Sequence, residues 1–292
     1  MANRDKWSTF VLLSPWIVTF IAFSLYPVAY SLYLSFTKYN PLAGQAPRFI
    51  GLSNYLGILN DPAFWQAVKN TVIFVVGTIP VTTGIAIILA VFLNQRIRFR
   101  SFFRASYFVP VMTSVVVIST IFTYIYSPFG LLNSFLNLFG LPGRNWLLST
   151  EFALPAIMVM MIWASFGYYT VLFLAGLQNI PQEIYESAEI DGANSVQQFF
   201  RITLPLLRPM LIFALVINTI RSFQIFSQIF VMTQGGPLGS TRTVVYYLYT
   251  MGFQKFKMGY ASGIAYLLFL IILVFSVIQM KTLSYEEQFY GR

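Results

Sequence analysis

Val72–Leu93 reads VIFVVGTIPVTTGIAIILAVFL, and no charged side chain interrupts it. A helix rises about 1.5 Å per residue, so a hydrocarbon core of about 30 Å needs about 20 such residues, and this stretch is long enough to cross one. Five further runs share its character: Phe10–Leu34, Ala105–Tyr126, Phe152–Leu177, Met210–Met232 (broken only by Arg221) and Gly259–Met280. None alternates in polarity over about ten residues, as a barrel strand would. All are read as helices, and the expected fold is all-α: a polytopic membrane protein with six transmembrane helices.

Composition agrees. Of 292 residues, 57% are hydrophobic and 9% charged, against about 25% charged in ordinary soluble domains. Such a chain cannot cover its surface with polar groups and must use lipid as solvent. The formal charge of +9 then fits loops facing an anionic lipid surface, not nucleic acid. With no Cys and no His, disulfides, Cys or His metal sites and the commonest nucleophile–base pairs are excluded. The first run exceeds the 7–15-residue apolar core of a secretion signal and is kept as a span; Pro15 and Pro27 inside it are expected to kink it.

Orientation follows the basic residues. Arg4, Lys6, Arg96, Arg98, Arg100, Arg104, Arg201, Arg208, Lys281 and Arg292 fall on one side, and Lys38, Arg48, Lys69, Arg144, Arg242, Lys255 and Lys257 on the other. The cluster Arg96–Arg104 lies in a short loop, where the positive-inside rule is strongest, so both termini are expected to be cytoplasmic.

The acids are Asp5, Asp61, Glu151, Glu183, Glu186, Glu189, Asp191, Glu286 and Glu287, all outside the spans or at their ends, which disfavours coupling to protons or sodium. No Gly-Lys dipeptide exists, so the phosphate-loop motif for ATP is absent and any ATP must be handled by a partner.

Between the fourth and fifth runs, Ile180–Gly192 reads as a short helix: Pro181 suits its first turn, Gln182 and Glu183 its positive end, and Ile180, Ile184 and Ala188, with Tyr185 beside them, make an apolar stripe. Asp191-Gly192 ends it as a turn, and Ser195-x-x-Gln198 resembles a capping box opening a second helix through Phe199, Phe200 and Ile202. Such a helix–turn–helix either packs on the protein's own spans or inserts into a groove of a cytoplasmic partner.

Glu186-Ser187-Ala188, Gly192 and Ile202-Thr203-Leu204-Pro205, at these spacings, resemble the EAA loop of permease subunits of ABC importers, with Ser187 where that pattern has Ala. Leu25-Tyr26-Pro27, Leu34-Ser35-Phe36-Thr37, Gly51-Leu52-Ser53-Asn54-Tyr55, Thr233-Gln234-Gly235-Gly236-Pro237 with Ser240-Thr241, and Gly259-Tyr260-Ala261 resemble the sugar-importing branch, the maltose- and glycerol-phosphate-type first permease. The resemblance covers essentially the whole chain. It implies the type I permease fold, divided as 1–66 (first helix and outer loop), 67–281 (permease core, coupling loop about 178–209) and 282–292 (cytoplasmic tail). It further implies a non-catalytic subunit without cofactor, in a bacterial or archaeal plasma membrane. Its partners would be a second, similar permease, a cytoplasmic ATPase dimer that binds ATP and Mg, and an external substrate-binding protein. Glu183, Tyr185, Glu186, Ser187, Ala188, Asp191 and Gly192 would engage the ATPase.

Run five carries Asn218, Thr219, Arg221, Ser222, Gln224, Ser227 and Gln228. A charge at membrane depth costs about 2.5–3.5 kcal/mol on insertion scales, so Arg221 needs a compensating environment. Asn218, Arg221, Ser222 and Ile225 share a face at helical spacing, which suits either a polar cavity or an interchain seal. The resemblance places sugar contacts there and at Ala164, Ser165 and Tyr168; Arg221 and Ile225 depart from that pattern's aromatic and amide, which argues against maltose itself. Tyr168, Tyr169 and Trp163 are candidates for stacking on a sugar ring. The expected function is an ATP-driven importer subunit for a sugar or polyol. The alternatives are an anionic cargo facing Arg221, a stand-alone secondary carrier, and a lipid-acting membrane enzyme.

Overall fold

The structure, a computed structural model, describes residues 2–95 and 100–285. Arg96, Arg98, Glu286, Glu287 and Arg292, which enter the charge reading, lie outside them.

In chain order the elements are α1 (Ala2–Phe20), a π-helical turn (Ile21–Leu25), α2 (Tyr26–Ser35), the strands β1 (Thr37–Lys38) and β2 (Arg48–Phe49), α3 (Ser53–Leu59), α4 (Pro62–Asn94), α5 (Arg100–Met112), α6 (Val115–Ile125), α7 (Leu131–Leu138) and α8 (Ala153–Gln178). There follow α9 (Gln182–Ile190), α10 (Ser195–Gln198), a π turn (Phe199–Thr203), α11 (Leu204–Leu206), α12 (Arg208–Phe223), α13 (Ser227–Met232), α14 (Val244–Tyr249), a π turn (Thr250–Gln254) and α15 (Met258–Tyr285). Five stretches among the described residues are long and apolar enough to cross a membrane, and α5 with α6 makes a sixth if that bent pair is one span.

The third span is therefore not the continuous helix expected over Ala105–Tyr126: its halves meet at 105°. Pro110 cannot donate to a preceding carbonyl, Thr113 closes the last turn of α5 through a bond to the Pro110 carbonyl, and Ser114 leaves helical geometry (ψ 131°). At Pro27 the accommodation is gentler, the π turn just before it, in which Tyr26 N–H reaches back to the Ile21 carbonyl.

The chain divides into two compact units. One comprises Met1–Phe64 and Tyr247–Leu270. Its β hairpin is antiparallel, Thr37 opposite Phe49 and Lys38 opposite Arg48. Three of the stretches singled out in the sequence converge here. Asn54 donates to the Ser35 and Thr37 carbonyls at 2.9 and 2.8 Å, the Tyr55 and Ser35 hydroxyls bond at 2.7 Å, and Gly259 lies so close to the Thr37 carbonyl that an added methyl would sit 2.0 Å from its oxygen. Tyr247 and Tyr260 both donate to the Asp61 carboxylate, and Asp61 caps α4 by accepting from the Ala63 N–H at 2.9 Å. α1 and the π turn that follows it, by contrast, leave Leu12 and Phe23 80% exposed, which lipid tolerates and water does not.

The second unit comprises Trp65–Tyr246 and Ile271–Arg292. α5 packs along α8, where Gly167 lets the backbones meet: an added methyl would lie 2.0 Å from the Tyr107 carbonyl oxygen. Two apolar layers form its core. Phe74, Ile118, Ile157, Met160, Ile225 and Ile229 belong to one, and Ala86, Ala90, Tyr169, Phe173, Leu207 and Ala214 to the other. The loop after α6, unread in the sequence, is organised by Asn133, whose amide binds the Ser127, Pro128 and Arg144 carbonyls and accepts from the Arg144 N–H and the Trp146 indole.

The clasp at Asp61 gives a pH dependence. Burial opposes its charge, but bonds from Tyr247, the Ala63 N–H, Tyr260 and the Phe64 N–H outweigh this and hold its pKa below the ordinary carboxylate value. A depressed folded pKa contributes stability that is full above the unfolded value of about 3.9 and is lost as pH falls through the folded one. D61N is expected to lower the thermal midpoint of the purified protein at pH 7, and the gap to wild type to close below about pH 4. A gap that stays constant on acidification would rule the clasp out.

Candidate functional site

Between the two apolar layers of the second unit the same helices turn polar. Along α4, Phe74 is followed by Thr78 and Thr82 and then Ala86; along α8, Met160 is followed by Ala164, Ser165 and Tyr168 and then Phe173; along α12, Ala214 precedes Asn218, Arg221 and Ser222. These polar residues line one cavity of about 200 Å³, which α5 and α6 complete at their break through Pro110, Val111, Thr113 and Val115. Thr78 and Thr113 donate back to the Phe74 and Val109 carbonyls, the usual way a helix satisfies hydroxyls in an apolar setting.

Of the residues expected to meet cargo, Ala164, Ser165, Tyr168, Asn218, Arg221 and Ser222 all line this cavity. Ile225 does not. α12 ends at Phe223 with Gln224 as its cap, so the helical spacing that put Ile225 on the same face stops short of it. It is 4% exposed in the apolar layer, and its carbonyl accepts from Thr243. Among the aromatic candidates Tyr168 and Tyr169 line the cavity, whereas Trp163 is outside its lining and packs on Phe122 at 5.3 Å. Sequence reasoning missed Thr78, Thr82 and Thr113.

The Arg221 side chain is exposed, and its guanidinium stands over the Tyr168 ring, 4.7 Å from its centroid, in a cation–π contact. The Ser222 hydroxyl donates to the Asn218 side-chain oxygen at 3.3 Å, and the Asn218 amide nitrogen, though buried, has no partner among the described residues.

The α8 helix also leads to the elbow. Three residues separate its end at Gln178 from α9, and Gly176 presses against Leu207 and Met210, where an added methyl would come within 2.9 Å of both. α9 starts after Pro181 and ends in a Schellman turn: Ala193 N–H bonds to the Ala188 carbonyl, Gly192 N–H to that of Glu189, and Gly192 takes φ +81°. The capping box of the next helix is one residue earlier than the sequence suggested: Asn194, not Ser195, is the cap, exchanging bonds of 2.9 Å with Gln197. Both pairs satisfy the spacing, and the αL residue at 192 decides between them by setting where the chain turns.

Glu183, Glu186, Ser187, Asp191 and Gly192 are exposed, while Ala188 and Tyr185 are half-buried; the Tyr185 hydroxyl bonds that of Thr203 at 3.0 Å, tying α9 to the second arm. Large apolar side chains stay outward on this elbow: Ile190 is 87%, Val196 66% and Phe200 61% exposed.

Helices long and apolar enough to cross a membrane, gathered round a cavity with polar lining and carrying an exposed elbow, define the class of a membrane transport subunit. Residues 82–284 match the family described as binding-protein-dependent transport system inner membrane component. The arabinooligosaccharides transport system permease protein AraP of Halalkalibacterium halodurans is 38% identical over 95% of this chain and 88% of its own, and the lactose transport system permease protein LacF of Rhizobium radiobacter is 35% identical over 92% and 91%. A chain in the crystal structure of a bacterial ABC transporter involved in the import of the acidic polysaccharide alginate superimposes with a TM-score of 0.84 at 23% identity, over 96% of each chain, and shares the fold. The chain belongs to the binding-protein-dependent transport system inner membrane component family, as a non-catalytic, multi-pass permease subunit of an ABC importer.

Replacing Asn194 with Ala removes one of two reciprocal caps, worth about 1 kcal/mol. Amide hydrogen exchange over 195–203 is expected to quicken about fivefold, with no change in α8; equal exchange in both proteins would contradict the capped second arm.

Proposed function

We propose that the chain is one of two similar permeases in the plasma membrane of a bacterium or archaeon, with both termini cytoplasmic, importing a sugar or related polyol at the expense of ATP hydrolysed by a partner dimer that binds the nucleotide and Mg. An external binding protein delivers the cargo. Residues 67–281 act as the permease core and the elbow within 178–209 as the coupling element.

One observation carries this reading: the same helix, α8, lines the cavity and, three residues later, opens the exposed elbow. An elbow held by two caps and the Tyr185–Thr203 bond transmits displacement instead of absorbing it. Its outward Ile190, Val196 and Phe200 suit a groove on a partner, as helix-in-groove docking requires. Glu183, Tyr185, Glu186, Ser187, Ala188, Asp191 and Gly192 form the ATPase contact, with the Glu186 carboxylate presented to a base or amide of the ATPase. The relatives transporting arabinooligosaccharides and lactose support a saccharide cargo, and amides, hydroxyls and the Tyr168 and Tyr169 rings are the groups that bind one.

Gly192 offers a clean test, because an added methyl meets nothing within 4 Å. The Cβ of G192V therefore meets no atom of this chain, and the substitution strains the backbone by about 1–2 kcal/mol for a side chain in the left-handed region. G192V and E186K are each expected to leave the four-part complex assembled while cargo accumulated per ATP hydrolysed in proteoliposomes drops about tenfold or more. Wild-type stoichiometry in both would exclude the lever.

A further inference from the structure

A second hollow lies along two of the helices that line the cavity. Ala105 and Phe108 of α5, with Val171, Leu174, Ala175 and Gln178 of α8, border an open furrow of about 420 Å³, larger than the 200 Å³ of the cavity. Helical spacing relates the two hollows. On α8, Ala164 and Tyr168 line the cavity and Val171, Ala175 and Gln178 the furrow, and steps of four, three, four and three residues keep all five on one face. On α5, Val111 lines the cavity and Phe108, one turn earlier, the furrow. The furrow thus carries the cavity's own wall onward to the end of α8, where the elbow opens.

The linings differ in kind. The cavity offers a sugar Thr78, Thr82, Ser165, Asn218 and Ser222 as hydrogen-bond partners, whereas Gln178 is the one polar side chain bordering the furrow. A saccharide that moves from one to the other exchanges protein partners for water and is held weakly, as a group that must leave has to be. Room comes from small side chains: Ala105 and Ala175 are exposed, while Leu174, 3% exposed, closes the bottom. Lipid would suit apolar walls equally well; the face shared with the cavity is what favours cargo.

We propose that the furrow between α5 and α8 is the path by which cargo leaves the cavity, and that Ala105 and Ala175 set the largest saccharide that passes. This rests on the importer reading above and adds a size filter separate from the cavity that binds.

The test uses the complete importer with its binding protein in proteoliposomes. The chain has no cysteine, so A175C places a single reporter in it, and modification is read on this chain by mass. A membrane-impermeant maleimide is expected to reach the reporter from the elbow side in the nucleotide-free complex. Reaction with a lipid-soluble maleimide alone would assign the furrow to the bilayer, and reaction with neither reagent would assign it to a contact with the second permease; each result overturns the proposal. The second arm supplies a mixed pool of neutral mono- to pentasaccharides and reads ATP-dependent accumulation by mass spectrometry. A105F and A175F, in complexes that still assemble, are each expected to lower accumulation of the longest saccharide that wild type takes up about tenfold. Either variant suffices should the other fail to assemble, and A175C decides access by itself. Unchanged accumulation in the bulky variants would overturn the filter even with A175C reactive, and leave the sugar importer standing. Accumulation of no saccharide by wild type would overturn both.

Discussion

Two glycines on α8 set the constraint on which the second unit depends. Gly167 lets the Tyr107 carbonyl of α5 come where a methyl would stand, and Gly176 does the same for Leu207 and Met210 beside the elbow. Close packing of this kind, against a backbone at Gly167 and against side chains at Gly176, gains dispersion contacts and loses freedom to slide, so α8 is gripped within the stretch that lines the cavity and again beside the elbow. Displacement at α9 therefore has few routes other than along α8.

Polar groups inside an apolar protein are costly unless satisfied, and the second unit gathers a set of its polar side chains in one layer between apolar ones. Above and below it the side chains are Phe, Ile, Met, Ala and Leu; within it are threonines, Ser165, Asn218, Arg221 and Ser222. The break in the third span falls at this layer. Its exposed backbone is tolerated there because it borders a cavity and not lipid.

Much of this was legible in the residues. A span needs about 20 apolar positions, a demand so long that six runs stand out even with Pro15, Pro27 and Pro80 inside them. Asn218, Arg221 and Ser222 were visible because amides and cations are rare at membrane depth, and Gly192 because a turn after an amphipathic helix calls for positive φ. What escaped notice had weaker signals. Thr113-Ser114 is small and uncharged, so a 105° bend left no mark in the hydrophobic pattern. Thr78 and Thr82 look like any threonines in a helix until Phe74 and Ala86 flank them as layers. Ile225 was misplaced because helical spacing was carried beyond Phe223, and the cap shifted by one because Asn194 and Ser195 each have a Gln three residues on.

The central claim is that events at the elbow decide which side of the membrane the cavity faces. The chain has no cysteine, so a single one at Ser165 reports on the cavity alone. In the assembled transporter, reactivity of S165C toward a membrane-impermeant maleimide is expected to switch from one face to the other when the ATPases are trapped with nucleotide. Reactivity from the same face at the same rate in both states would contradict it.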